Sequence, residues 1–225
     1  MKKVLPYVLL LFLTSCQDDN PAPVELGLDY MPLSVNRFWI YEVAETIYYG
    51  ESDTESSNFF YRDIISKSSL DVEGNLVYLV NREKSTNQSD WVNHSVYTLQ
   101  LKEKSLLRYS DNTKEIPLVF PPKNYISWDG NIYNNLSKDE FNLELINAYE
   151  LNNKTFQSVA KVLQEEEDDR ITFRDNRYEI YAKGVGMIEK YYEVLSYCSR
   201  NDCLGEQIVD GGRTTHLKLI SNGQY

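Results

Sequence analysis

The feature that most restricts the fold is a relay of strand-length runs, alternating or continuously apolar, each ended by Gly, Asn, Asp or Pro. In "RFWIYEV", Trp39, Tyr41 and Val43 fall on one face of an extended chain and Phe38 and Ile40 on the other, so such a strand is partly buried on both sides. "FFYRDIISKSS" and "LVYLVNRE" flank "LDVEGN", where Gly74-Asn75 reads as the turn of a hairpin. "HSVYTLQL" and "SLLRYS" follow, with "KEK" as the turn between them. "IPLVFPP" carries three prolines, which lack the N–H that a central strand must donate, and belongs at a sheet edge or in an extended loop. The second half continues with "FNLELINAYEL", "TFQSVAKVLQ", "ITFRDNRYEIYA", "GMIEKYYEVLSY" and "THLKLIS". Eighteen tyrosines strengthen the β reading, since aromatic side chains suit a pleated, half-buried surface.

These runs predict an all-β domain of about ten antiparallel strands. So many strands in one meander must curl into a half-barrel or barrel, or fold as a sandwich of two sheets, to bury one face and limit exposed edges. A barrel has room for a ligand and a sandwich is filled; the sequence leaves both open. Tyr178, Ile180 and Ala182 alternate with Arg177, Glu179, Tyr181 and Lys183, the pattern of a half-exposed antiparallel strand. Ser137-Lys138-Asp139-Glu140 has the spacing of a helix capping box and competes with the strand reading through Tyr149, which is retained. "SWDGN" reads as a turn in which Gly130 is able to take positive φ, and Gly184-Val185-Gly186 as a bend or bulge between strands.

The N-terminus has a different logic. Lys2 and Lys3 precede a ten-residue apolar run from Val4 to Leu13, interrupted by Pro6 and Tyr7 and too short for a membrane span, which needs about twenty residues. It suits the apolar region of an export signal. Leu13-Thr14-Ser15-Cys16 resembles a bacterial lipobox, in which the cysteine sulfur carries a diacylglycerol and the acyl chains hold the protein to a membrane. Gln17-Asp18-Asp19 resembles the acidic tag of surface lipoproteins of the Bacteroidota, and reads equally as part of a solvated tether. The expected organisation is a signal peptide over 1–15, a lipidated Cys16 with tether over 16–29, and a single β-rich domain over 30–225. The expected location is the outer membrane, on its periplasmic or cell-surface face.

Net charge is −11, and loss of Lys2 and Lys3 with the leader takes 23 basic residues to 21 against 34 acidic, a mature charge of −13. Such a chain repels phosphate backbones, so no nucleic-acid partner is expected and membrane attachment rests on the lipid. With Cys16 lipidated, Cys198 and Cys203 in "YCSRNDCLG" read as a disulfide closing a hairpin loop. The two histidines, His94 and His216, sit in strand runs outside any catalytic motif. No nucleophile elbow, zinc-protease helix, phosphate-binding loop or dinucleotide fingerprint occurs. The acidic run from Glu165 to Asp169 lacks the alternating ligands and glycine of a calcium loop and reads as a solvated hairpin tip; no metal or cofactor is expected. Trp39, Trp91 and Trp128 are the candidate platform for a sugar or apolar ligand, set against their use as core and cross-strand pairs.

Several stretches together resemble a family of Bacteroidota lipoproteins: "YMPLSVNRFWIYEV", Arg82 and Trp91 in the next strands, "LVFPPKNYISWDGNIYN", "YAKGVGMIEKYYEVL" and the closing "LKLISNG". The resemblance implies an envelope location and a β-rich domain, and brings no catalytic residue to carry over. Proteins it resembles usually have glycine in the opening motif where this chain has Asn36, so a different turn is expected there. The function expected is a non-enzymatic binding or envelope-assembly module, with an envelope protein, glycan or lipid as partner. The alternatives are a carrier of lipid or another small hydrophobe and, behind it, a hydrolase using paired carboxylates.

Overall fold

The structure is a computed structural model and describes residues 25–225; the leader, Cys16 and most of the tether lie outside the described residues. A 3-10 turn, Leu28–Tyr30, leads into twelve strands. The first six are β1 (Arg37–Gly50), β2 (Asp53–Leu70), β3 (Leu76–Ser85), β4 (Val92–Lys102), β5 (Ser105–Ser110) and β6 (Thr113–Val119). The second six are β7 (Ile126–Asp129), β8 (Glu140–Leu151), β9 (Lys154–Asp168), β10 (Phe173–Ala182), β11 (Gly186–Tyr197) and β12 (Val209–Gln224). All belong to one antiparallel sheet in the order β6-β5-β4-β3-β2-β1-β12-β11-β10-β9-β8-β7. It is thus two meanders joined where β1 pairs with β12.

The free edges, β6 and β7, meet without a regular ladder. Ile116 N–H donates to Gly130 O at 2.9 Å, the Trp128 indole N–H donates to Ile116 O at 2.8 Å, and the Asn134 amide donates to Lys114 O at 2.9 Å. These bonds hold the edges together in a nearly closed, barrel-shaped sheet rather than a sandwich and occupy edge groups that would otherwise invite another chain. The strand count exceeds the expected ten because Pro117 left β6 undecided and β7 is only four residues long. No helix follows the capping-box spacing: Ser137, Lys138 and Asp139 lie in the connection and the chain is strand from Glu140, as retained, because Phe141 and Leu143 alternate into the core.

Turn chemistry follows the sequence in most places. Gly74, Gly184 and Gly186 take positive φ, and Asn36 adopts φ 69, so asparagine keeps the left-handed turn that a glycine would make. Gly130 corrects an expectation: its φ is not positive. It is glycine because a Cβ there would meet the Phe141 ring at 2.5 Å.

One end of the barrel is plugged by apolar side chains, among them Met31, Trp39, Ile65, Leu118, Phe120 and Leu219, all buried. Each such side chain contributes about 1.5–3 kcal/mol on burial. The segment before β1 folds across this end: Gly184 N–H donates to Asp29 O at 2.8 Å and Lys183 pairs with Glu25. Packing therefore begins within the expected tether, and Tyr225 N–H donates to Asn36 O, so both ends of the described chain lie at the plugged end.

The β8–β9 hairpin does a second job. Beyond Ile146 and Val159, β8 and β9 stay paired with each other but β9 no longer pairs with β10; Ser158 sits at φ 54, and the hairpin tip crosses the outer face of the barrel. There the Asn152 amide donates to Glu42 at 2.9 Å and Lys154 donates to Ile220 O at 2.9 Å. This strap buries the outward side chains Ile180, Ala182 and Val159, which corrects the expected half-exposed β10: Glu179, Ile180, Tyr181 and Ala182 are all buried.

Candidate functional site: a charged, tyrosine-lined cup

Strand alternation sends one set of residues inward at each level of the barrel. On β1 these are Trp39, Tyr41 and Glu45, opposite Asp63 and Tyr61 of β2; on β12 they are Arg213, Thr215 and Leu217. Together they enclose a cavity of about 280 Å³ above the apolar plug. Its outer lining includes Ser95, Val96, Asp111 and Arg213, all exposed, which marks the mouth. Its inner lining includes Met31, Leu99, Leu106 and Met187.

A belt of charge runs between mouth and plug. Arg82 of β3 makes a bidentate pair with Asp63 of β2, Nε to Oδ1 at 2.7 Å and Nη2 to Oδ2 at 2.6 Å, and the Tyr97 hydroxyl donates to the same carboxylate at 2.9 Å. Arg108 of β5 reaches across the barrel to Glu179 of β10, Nη2 to Oε1 at 2.5 Å, while its Nε donates to Glu115 of β6 at 2.6 Å. Lys190 of β11 adds a second cation to Glu179 at 2.7 Å, and the Tyr181 hydroxyl donates to it as well. Because β5 and β10 lie far apart in the sheet order, the Arg108–Glu179 pair ties opposite walls together.

Burial alone would push the Glu179 carboxyl up; Arg108 and Lys190 outweigh it and hold the pKa well below the usual carboxylate range. Burial likewise opposes the Arg82 charge, and the Asp63 carboxylate more than restores it. The Tyr41, Tyr97 and Tyr181 hydroxyls are pushed up by burial first and then by adjacent carboxylates, so they remain neutral donors. Arg82 lies over the rings of Tyr61 and Tyr97, at 4.6 and 5.5 Å.

A separate cluster lies outside the cup, beneath the strap. Glu189 of β11 accepts from Tyr149 at 2.6 Å, Tyr178 at 3.0 Å and His216 Nε2 at 2.6 Å. Since a carboxylate only accepts, Nε2 carries the proton in this pair. Burial would raise the Glu189 pKa, but the three donors, His216 first, hold it below its ordinary value.

The tryptophans expected to form a platform are not brought together. Trp39 lines the cup, with its indole N–H on Val185 O at 2.7 Å and no room for a Cβ on Gly186 beside it. Trp91 is covered by the Arg62 guanidinium at 4.4 Å, and Trp128 belongs to the β6–β7 seam. The aromatic surface of the cup is mostly tyrosine. His94 accompanies the cup through the Tyr61 hydroxyl at 3.1 Å, and burial lowers its pKa. Cys198 and Cys203 are joined as a disulfide in the β11–β12 loop, with Cα atoms 5.9 Å apart. The acidic run occupies the end of β9, and Asp169 organises the following turn by accepting from the N–H groups of Ile171, Thr172 and Phe173. Among the described residues no group of three or more His, Cys, Asp or Glu is placed to hold a metal ion.

Sequence reasoning missed Asp63, Arg82, Arg108, Glu179 and Lys190. The available signal was their position in register with inward aromatics: Asp63 two residues after Tyr61, and Glu179 two before Tyr181.

No protein-family model matches the chain, and no curated protein matches it. Among solved structures the chain is similar to a protein of Bacteroides fragilis described as exported and as having a YmcC-like fold, at 9% identity over 86% of this chain and 98% of that one, with a TM-score of 0.37. It is also similar to a protein of Parabacteroides distasonis described as a lipoprotein, at 12% identity over 85% of this chain and 98% of that one, with a TM-score of 0.40.

Proposed function

We propose that the protein is a lipid-anchored, non-enzymatic binding module of the outer membrane, holding a small polar ligand in the barrel cup. The observation that carries this reading is the lining of the cavity: tyrosine rings interleaved with Arg82, Arg108, Lys190, Glu45 and Glu115. A purely apolar ligand would cover these groups without answering their remaining hydrogen-bonding capacity, at a cost of about 1–3 kcal/mol for each stranded group. A lipid carrier therefore fits this cup less well than a binder of polar ligands.

The anchor gives the cup a direction. Cys16 precedes Glu25 by nine residues, at most about 30 Å of chain, and Glu25 docks at the plugged end. With lipid on Cys16, the plug faces the membrane and the mouth faces away. The acids after Cys16 support export to the cell surface, where a mouth directed outward meets extracellular solutes or glycans.

Native mass spectrometry of the soluble chain from Gln17 to Tyr225 tests the reading. A retained polar mass that is lost on denaturation supports it. A retained acyl lipid in the cavity instead puts the carrier reading ahead of it.

A further inference from the structure

Charge in the cup is ordered by depth within the wall. Two of the acids that neutralise its cations, Asp63 and Glu179, are 1% and 0% exposed and are absent from the cavity lining; the third, Glu115, lines the cavity beside Arg108. The cations themselves line the cavity: Arg82, Arg108, Lys190 and Arg213.

Their bonding capacity is unequally used. Arg108 is the most heavily committed, with Nε, Nη1 and Nη2 each bonded to Glu115 or Glu179. Arg82 commits Nε and Nη2 to Asp63 and, among the described residues, Nη1 has no partner. That nitrogen is not buried, since Arg37 Nε is the one buried side-chain nitrogen or oxygen left without a partner among the described residues. Lys190 spends one of its three N–H bonds on Glu179. Arg213, at the mouth, lies over the Tyr192 ring at 5.3 Å and forms no ion pair among the described residues. Apart from Glu115, which is paired with Arg108, the acids that line the cavity are Glu45, with its carboxylate near the Thr215 hydroxyl, and the exposed Asp111 at the opening. Ser95 and Ser110 accompany them.

Unused cationic donors thus sit inside the cup, and unused acceptors and hydroxyls sit at its rim. We propose that the cup takes an acidic sugar: a single hydroxylated ring whose carboxylate meets Arg82 and Lys190, whose face lies on tyrosine, and whose hydroxyls donate to Glu45 and Asp111. This rests on the binding reading above and names its ligand class. The volume of about 280 Å³ suits one ring rather than an oligosaccharide buried whole. A sugar acid ending a longer glycan enters with the remainder of the chain outside the mouth. Arg213 at the rim draws the anion in against the net negative charge of the protein.

The test is isothermal titration of the full lipidated chain in detergent with sodium glucuronate, glucose and sodium acetate. Glucuronate is expected to bind at least about tenfold more tightly than glucose or acetate, and to weaken as salt is raised. Lys190→Met should weaken glucuronate about tenfold and leave glucose unchanged, the loss expected for one charge-assisted hydrogen bond. Because Lys190 also supports Glu179, Arg213→Gln serves as the second variant: it is exposed, keeps the belt intact, and should lower glucuronate affinity and its salt dependence. Equal binding of glucose and glucuronate overturns the acidic-sugar assignment and leaves a polar-ligand cup standing. Absence of glucuronate binding to a folded wild-type chain overturns the assignment too. In that case the wider reading survives only if native mass spectrometry shows a retained polar mass that Lys190→Met releases.

Discussion

Glu179 and Glu189 are both buried carboxylates on neighbouring strands, yet they are held by opposite means. Glu179 faces the cup and is neutralised by two cations, Arg108 and Lys190. Glu189 faces the strap and is satisfied mainly by tyrosine hydroxyls and one histidine. The difference follows from what each side must do. The cup needs charge that can meet a ligand, so ion pairs are assembled at the cavity wall. The outer face needs only to be sealed, so hydroxyls from the strap (Tyr149) and from β10 (Tyr178) with one imidazole from β12 suffice, and no arginine or lysine is stranded if the contact opens.

The largest effect that would sharpen this comparison is Glu179→Gln. It leaves Arg108 and Lys190 facing each other in a low-dielectric site, and should lower unfolding free energy by about 3–5 kcal/mol in urea titration. Glu189→Gln strands no permanent charge and should cost about 1–3 kcal/mol by the same measurement. Equal losses for the two variants would break the distinction. Tyr149→Phe removes one donor from Glu189 and should cost about 1 kcal/mol, with faster amide exchange in residues 147–157 if the strap is held as described. Uniform exchange across the barrel would show instead that the strap opens only with global unfolding.

Acid should act on both carboxylates with the same sign. Each has a folded pKa below its unfolded value, so each contributes stability that is fully present above about pH 4.3 and lost as pH falls through the folded pKa. Urea midpoints should therefore fall as pH is lowered from about 4.3 towards 3. The decline should be shallower in Glu189→Gln, and a midpoint that rises in this window would contradict both assignments.

Much of the strand pattern was legible because it is local. The β2–β3 hairpin announced itself through Gly74-Asn75, and the edge position of β6 through Pro117. β7 was not legible: four residues carry too little alternation to stand out, and Trp128 is fixed by a carbonyl of β6 rather than by its neighbours in sequence. The cup was harder still. In "RYEIYA" the alternation is plain, but it leaves undecided which face is inside, and both faces prove to be covered.

The sequence by itself determined that this chain forms antiparallel strands, where most of them turn, and that Cys198 and Cys203 lie close enough to be joined, because each depends on residues near one another along the chain. Only the tertiary structure decided that the sheet curls into a nearly closed barrel, that a hairpin arm covers its outer face, and that six charged residues from β2, β3, β5, β6, β10 and β11 share one interior belt. A period of two is symmetric between the faces of a strand; closure and the strap break that symmetry, through contacts between residues as far apart as Arg108 and Glu179.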